Sequence, residues 1–216
     1  MSAEIEPIRG LPEPLPPGER ILWQGSPDWR ALAVRALHVR KVAAYFGLLA
    51  AASVAGSVVI DGKALPAALG SAAGLALPAL AALGLLGLYA FLAAGATVYT
   101  ITDRRVVMRF GVALPLTVNI PFKIVGSAGL KLDRDGTGDI PLALTGRGKI
   151  AYLALWPHAR PWRVSRPEPM LRAVPDAARV GRLLAGALAA AAGRVPAITA
   201  EPEATPEPAG PVAAAA

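Results

Sequence analysis

Few residue types in this sequence are suited to catalysis or metal binding. The 216 residues include no cysteine and only two histidines, His38 and His158. These histidines lie far apart in the chain, and neither has a second histidine at the spacing of a metal-ligand pair. No nucleophile elbow or phosphate-binding loop occurs between a strand and a helix. We therefore expect no catalytic residue, no metal and no cofactor, and a protein that is not an enzyme.

One acidic segment has the beginning of a calcium-binding loop. It reads DRDGTGD, from Asp133 to Asp139. A calcium loop of this kind closes with a glutamate six residues after its glycine, and Leu142 stands at that position. We therefore interpret the segment as the turn of a β-hairpin.

The most distinctive short segment is WPHARPW, from Trp156 to Trp162. Its prolines stiffen the backbone, and its tryptophans offer broad contact area at a small entropic cost. One interpretation is a partner- or lipid-binding surface made by Trp156, Pro157, His158, Arg160 and Trp162. The other is structural, with Trp156 at the end of a core strand and Trp162 packed beside the last helix. The sequence leaves both open.

The composition is that of a membrane protein. Apolar residues make up 54% of the chain and charged residues 17%, and the mean hydropathy is +0.47. The net charge is +7, but the basic residues bracket the apolar runs, as they do in proteins that follow the positive-inside rule. We therefore expect anionic membrane lipid as a partner and no nucleic acid.

Two apolar runs make residues 42–101 a predicted transmembrane region. The first, Val42 to Ile60, matches a hydrocarbon core of about 30 Å at about 1.5 Å per residue. The second, Ala64 to Ile101, holds either one helix at about residues 75–95 or two helices broken near Pro78. An even number of crossings keeps the basic flanks on one side. We therefore favour a multi-pass hairpin in the cell inner membrane, with both termini cytoplasmic.

The flanks of this region carry residues expected at the membrane interface. Residues 28–41 have the pattern of a basic amphipathic helix, which could lie on the lipid surface or pack on the protein's own soluble domain. The preceding residues, 1–27, are rich in proline and are expected to form an extended or disordered arm. The predicted interfacial residues are Trp29, His38, Arg40, Lys41, Arg104 and Arg105.

After the second run the apolar pattern changes to a period of two. The segments TVYTIT, RVVMRFG, LTVNIPF, GLKLDRD, DIPLAL and KIAYLALW are predicted strands. They are followed by a helix that begins near Asp176, with Val180, Leu183, Leu184 and Leu188 on one face. The predicted class is an α+β membrane protein, with an antiparallel β domain at residues 97–194 closed by a C-terminal helix. The tail, 195–216, is expected to be disordered.

These residues also carry a family resemblance. TVYTITDRRVVMRFG after apolar helices resembles bacterial pleckstrin-homology-like (PH-like) domains on membrane hairpins. The runs RGLPEPLPPGERILWQGSPDWRALAVRALHVRKVAAYF and LALWPHARPWRVSRPEPMLRAVPDAARV resemble the PuhB family of photosynthetic-complex assembly proteins of purple bacteria. This resemblance covers nearly the whole chain except its tail.

The resemblance implies a function that composition and spacing do not give. It implies an integral protein of the cytoplasmic or intracytoplasmic membrane that assists assembly of the photosynthetic reaction centre, with consequences for the core antenna. Subunits of these complexes are then the expected partners, and a homo-oligomer is possible. It transfers no catalytic residue. Family members are described with three membrane segments, whereas the charge pattern here favours two.

Overall fold

The computed structural model describes residues 9–145, 151–193 and 199–200, which form two long helices and a β-rich head. The helices are α1 (Trp29–Arg35), α2 (Val39–Val59), α3 (Leu65–Ala73), α4 (Ala76–Ala96), α5 (Tyr152–Leu155) and α6 (Ala177–Ala192), with one 3-10 turn at Phe122–Ile124. The strands are β1 (Ile21–Gly25), β2 (Val98–Thr102), β3 (Arg105–Phe110), β4 (Leu116–Pro121), β5 (Val125–Leu132), β6 (Gly138–Leu144), β7 (Met170–Val174) and β8 (Thr199–Ala200).

The two apolar runs form a helical hairpin. Within the described residues, two segments are long and apolar enough to cross a membrane, namely α2 and the run Leu65–Ala96 that joins α3 to α4. Their hydropathies are 1.9 and 2.1. The nine residues of α3 span only about 14 Å, too little for a separate crossing. Pro78 does not break the second run, because it lies in the first turn of α4, where a missing N–H costs little.

In the residues that the structure describes, the head consists of two four-stranded sheets. One has the order β1-β2-β3-β4 and the other β7-β6-β5-β8. Neighbouring strands are antiparallel except β5 and β8, which are parallel. The fully buried side chains of the core include Tyr99, Ile101, Met108, Ile120, Ile140, Leu142, Leu171 and Leu184. The predicted mixed α+β class with antiparallel sheets is confirmed.

Helix α6 packs on this core through the face that the sequence indicates. Val180 and Leu184 are fully buried, and Leu183 and Leu188 are partly buried against the same cluster. An apolar stripe at this spacing on a surface helix is expected to face the core. The helix thereby covers the inner side of the sheets.

The N-terminal segment differs from the predicted arm. From residue 9 onward it belongs to the head: Leu11 is buried, and β1 pairs with β2. The side chain of Glu19 is 2% exposed and forms an ion pair with Arg105. Prolines restrict the backbone but do not prevent packing, and the ion pair between the buried Glu19 carboxylate and the Arg105 guanidinium adds to the contacts that hold the segment.

Two further predictions about the head are wrong. KIAYLALW was predicted as a strand, but its described part, from Ala151, contains the short helix α5. Conversely, β7 was not predicted, although its five residues are all buried. A short apolar run fits a strand and a buried helical turn equally well, and neighbouring strands decide between them. The predicted disordered tail lies outside the described residues apart from the two residues of β8.

The helical hairpin passes into the head without a linker. Only Thr97 separates α4 from β2. Its hydroxyl donates to the Ala93 carbonyl at 2.7 Å, and its N–H donates to the Ala94 carbonyl at 3.3 Å. Thr97, which directly precedes β2, therefore donates hydrogen bonds to two carbonyl groups in the last turn of α4.

Candidate functional site

The segment 28–41, predicted as one amphipathic helix, is divided at His38. Helix α1 ends at Arg35, and α2 begins at Val39. His38 has φ 54° and ψ 35°, the left-handed conformation, which breaks the helical path. Asp28 begins α1 by accepting a hydrogen bond from the Ala31 N–H at 2.7 Å. The chain thus turns between α1 and α2 and does not form a single surface helix.

Helix α1 packs on the protein itself. Leu32 is 1% exposed and lies in a cluster with Ala93 and Ala94 of α4 and Ala173 of β7. Small residues on α4 allow this close approach. The interpretation of α1 as a helix packed on the protein's own domain is therefore correct. In contrast, Arg40 and Lys41 are exposed at the start of α2.

Two tryptophans pack against α4 near its C-terminal end. Trp29 makes an edge-to-face contact with Phe91, with ring centroids 6.2 Å apart. Trp156 stacks on Tyr89 at 5.8 Å, with 22° between the ring planes. Such aromatic pairs stabilise by about 0.5–1.5 kcal/mol beyond the area that they bury. The end of α4 is therefore surrounded by aromatic side chains from the head.

A cavity of about 900 Å³, which we call the juncture cavity, lies where the start of α2 meets the Trp156–Trp162 loop. Its lining combines the residues of the two separate sequence predictions: His38, Arg40 and Lys41 from one, and Trp156, Arg160 and Trp162 from the other. Its charged lining residues in the described chain are six basic, Arg35, Arg40, Lys41, Lys131, Arg160 and Arg172, and two acidic, Asp133 and Asp139.

The exposed part of the cavity rim is basic and aromatic. The side chains of Arg40 and Lys41 make no hydrogen bond or ion pair with any residue in the described parts of the chain. Trp162 is 95% exposed and has φ 64°, a conformation that costs free energy for a bulky residue. An exposed tryptophan offers a broad contact surface to another molecule.

Two members of the predicted contact loop are not at the surface. Pro157 is buried and His158 is 1% exposed, so the prediction of direct partner contact is wrong for both. Nδ1 of His158 lies 2.8 Å from the Tyr99 hydroxyl, and Nε2 lies 3.3 Å from the Thr97 hydroxyl. Its ring also packs on that of Phe110, at 4.8 Å between centroids. The alternation of polar and apolar residues in the loop gave no sign of this burial.

The surroundings of His158 keep its ring neutral. Burial lowers the pKa of His158 to about 3, and the positive charge of Arg172 adds to this effect. Burial also raises the pKa of Tyr99 above its usual range. A neutral imidazole and a neutral phenol can exchange a hydrogen bond without an ionic charge in the core. The pair therefore joins the WPHARPW loop to β2.

The acidic segment is the β5–β6 hairpin turn that the sequence predicts. The Gly136 N–H donates to the Asp133 carbonyl at 3.0 Å, and the described residues include no group that could hold a metal ion. Arg35 of α1 forms ion pairs with both Asp133 and Asp135, and contacts the Thr137 hydroxyl. Sequence reasoning missed this cross-link, because nothing in the pattern relates α1 to a turn about one hundred residues later.

Opposing effects act on the two carboxyl groups beside Arg35. Burial raises the pKa of Asp133, although the Arg35 charge acts in the opposite direction. Hydrogen bonding to the Thr137 side chain lowers the pKa of Asp135. The carboxylate of Asp133 thus depends on Arg35 to remain charged in a partly buried place.

Arg104 and Arg105 do not lie beside the helices, so their prediction as interfacial residues is wrong. They follow β2, whose five residues span about 17 Å from the end of α4. Arg105 pairs with Glu19, and Arg104 donates to the Gly18 carbonyl at 3.4 Å. Arg109 is the basic residue of β3 that lies near the end of α4, because it pairs with Val98 at the beginning of β2.

The chain also matches a known family of proteins. Residues 43–188 match the bacterial PH domain family, and the chain belongs to that family. The match includes most of α2, all of α4 and most of the head. Among curated proteins, a 23.7 kDa protein of Rhodobacter capsulatus is 42% identical over 187 residues, which cover 85% of this chain and 86% of that protein. That relative is described as uncharacterized and as encoded in the 5′ region of puhA. No solved structure matches the chain.

Proposed function

We propose that this protein is a membrane-bound assembly factor for the photosynthetic reaction centre and its core antenna. The observation that carries the proposal is the relative encoded beside puhA, a reaction-centre gene, which is 42% identical along most of both chains. The resemblance of the sequence to the PuhB family points in the same direction. The head then acts by binding, without cofactor or covalent chemistry.

The proposed location is the inner or intracytoplasmic membrane, with α2 and α4 as the two crossings and both termini in the cytoplasm. The lengths and hydropathies of these helices support it. Trp29 and Trp156 pack at the head end of α4, where tryptophans are enriched in membrane proteins. The exposed Arg40 and Lys41 at the same end fit a cytoplasmic flank.

The juncture cavity and its rim form the proposed binding surface for nascent subunits. Trp162 provides the exposed anchor, and Trp156 is 46% exposed beside it. Arg160 lies in the same lining and forms an ion pair with Glu168 at 3.0 Å. Aromatic and arginine side chains contribute most of the free energy at many interfaces. An assembly factor also has to release its client, which requires moderate affinity and a surface of limited size.

Site-specific photocrosslinking tests this proposal. A photoreactive amino acid at Trp162 is expected to crosslink reaction-centre or core-antenna subunits in membranes that are making new complexes. The matched control places it at Arg104, which is exposed at the far end of β2. Crosslinks to these subunits from both positions, or from neither, would contradict a role for the juncture cavity. A deletion strain with normal reaction-centre yield would contradict the function itself.

A second candidate is a general membrane module that binds anionic lipid. Arg40 and Lys41 favour it, because they are exposed beside the juncture cavity and have no ion-pair partner in the described chain. Basic residues near a membrane surface attract anionic lipid by about 1 kcal/mol each. Recovery of lipid alone from Trp162 would support this candidate. Recovery of a second copy of the chain would instead indicate a homo-oligomer.

A further inference from the structure

The β3–β4 turn lies beside the last turn of α4. β3 runs antiparallel to β2, and Arg109 pairs with Val98, which is two residues after the end of α4. The chain then continues beyond this pair toward the helices. Gly111, Val112 and Pro115 line one recess together with Gly95 and Ala96 of α4. The tip of the turn is therefore level with the end of the helical hairpin.

The tip is apolar and exposed. Leu114 is 85% exposed and Val112 is 44% exposed, and the chain carries no charged residue from Gly111 to Phe122. The turn is also tight and requires glycine at position 111, since Gly111 has φ 114° and a Cβ there would lie 2.2 Å from the Leu114 carbonyl oxygen. A constrained turn that presents leucine and valine outward suits an apolar environment more than water.

The recess behind the tip is basic. Its volume is about 420 Å³, and among the residues that the structure describes its lining contains Arg9 and Arg109 but no acidic residue. Arg9 donates to the Gly95 carbonyl at 3.1 Å, which holds it against α4. The Arg109 side chain makes no hydrogen bond or ion pair with a residue that the structure describes. Two guanidinium groups at the end of an apolar helix match the phosphate of a phospholipid.

We propose that this turn is a second lipid-binding element of the head. Val112 and Leu114 enter the boundary between headgroups and acyl chains, and Arg9 and Arg109 bind the phosphate of an anionic phospholipid in the recess. The inference depends on the membrane insertion of α4 stated above. It adds a contact that fixes the tilt of the head relative to the bilayer, independently of what the juncture cavity binds.

Fluorescence depth measurements on the full chain test this proposal. Because the chain has no cysteine, Leu114→Cys provides a single labelling site for an environment-sensitive probe. In vesicles of phosphatidylcholine with phosphatidylglycerol, we expect a blue-shifted emission that nitroxide lipid quenches and aqueous iodide does not. Leu80→Cys in α4 is the buried-in-lipid control, and Arg104→Cys is the aqueous control.

The controls separate this inference from the membrane hairpin. If the Leu80 probe is quenched by lipid while the Leu114 probe behaves like the Arg104 probe, the inference is overturned and the hairpin stands. If iodide quenches the probe at position 80, α4 is not inserted in the membrane, and both the membrane insertion and the inference are overturned.

A second comparison tests the arginine. Arg109→Gln is expected to reduce the blue shift of the Leu114 probe in phosphatidylglycerol vesicles, and Arg104→Gln is expected to leave it unchanged. Equal effects of the two variants would overturn the role of the recess. If inorganic phosphate reduces the blue shift as much as Arg109→Gln does, free phosphate is the ligand, and the assignment to lipid is overturned.

Discussion

The Tyr99 hydroxyl and Nδ1 of His158 lie 2.8 Å apart in the core of the head. Tyr99 is the second residue of β2, which leads directly from α4, and His158 lies in the middle of the WPHARPW loop. The loop is therefore attached to the strand that receives the helical hairpin. Protonation of this histidine would place a charge in the core and weaken that attachment.

The first prediction is that acidification destabilises the head through His158. Its folded-state pKa is about 3, and an unfolded histidine has a pKa of about 6.5. Between these values the unfolded state binds more protons, so the free energy of unfolding decreases as the pH falls from about 6.5 toward 3. Between pH 7 and pH 5 the expected loss is roughly 2 kcal/mol.

Variants at the two histidines check this prediction by denaturation at both pH values. His158→Gln is expected to be less stable at pH 7 and to lose most of the pH dependence. The control is His38→Gln, because His38 is exposed and should leave the dependence intact. Equal pH dependence in His158→Gln and the unmodified protein would contradict the prediction.

The second prediction concerns Arg35, which holds α1 to the β5–β6 turn. Arg35→Gln leaves the partly buried Asp133 without its cation and is expected to cost about 1–3 kcal/mol in the free energy of unfolding. Hydrogen exchange should rise in both α1 and residues 133–137. Arg30→Gln is the matched control, since the Arg30 guanidinium lies over the Trp29 ring and, among the described residues, forms no ion pair with the turn. A similar cost for both variants would argue against the cross-link.

The third prediction separates the two tryptophans of the loop. Trp156→Ala removes the stacking on Tyr89 and is expected to cost about 1–2 kcal/mol, because half of the side chain is already exposed. Trp162→Ala should change stability by less than about 0.5 kcal/mol and still impair assembly of the reaction centre. Thermal unfolding and complex yield measure the two effects. Normal yield with Trp162→Ala would count against its role as an anchor.

The fourth prediction tests whether the N-terminal segment belongs to the head. Glu19 receives two hydrogen bonds from Arg105, at 2.7 and 3.0 Å. Glu19→Gln should lower the free energy of unfolding by about 2–3 kcal/mol, since one partner of a largely buried pair loses its charge. Glu13→Gln is the control, because Glu13 is exposed. Protease resistance of residues 9–27 that is equal in the two variants would contradict this prediction.

The sequence predicted the elements that depend on local pattern. The uncharged runs indicate α2 and α4 through length and hydropathy, and the alternation after Thr97 indicates the β2–β3 hairpin. The apolar stripe around Leu184 indicates the buried face of α6. In each of these cases the residues that define the element lie within one short window.

The missed features depend on contacts between distant windows. β1 and β7 are edge strands, and their pairing with β2 and β6 decides that they are strands. The run MLRAV of β7, bounded by prolines, was a signal that could have been read. The left-handed His38 carries no signal at all, because a non-glycine residue in that conformation is set by packing on both sides.

The site was predicted in its parts and not in its arrangement. The basic residues at the start of α2 and the WPHARPW loop were both identified, but only the folded chain brings them to one cavity. The burial of His158 also depends on Tyr99 and Phe110, which precede it by about fifty residues or more. A local sequence pattern cannot indicate contacts between residues so far apart in the chain.

Because a single residue separates α4 from β2, the helical hairpin and the head move together. Thr97 is hydrogen-bonded to Ala93, so β2 cannot keep its orientation when α4 tilts. In the proposed membrane arrangement, a locally thinner bilayer that tilts α4 turns the rim of the juncture cavity through the same angle. The thickness of the surrounding lipid would then control the direction in which the proposed binding surface faces.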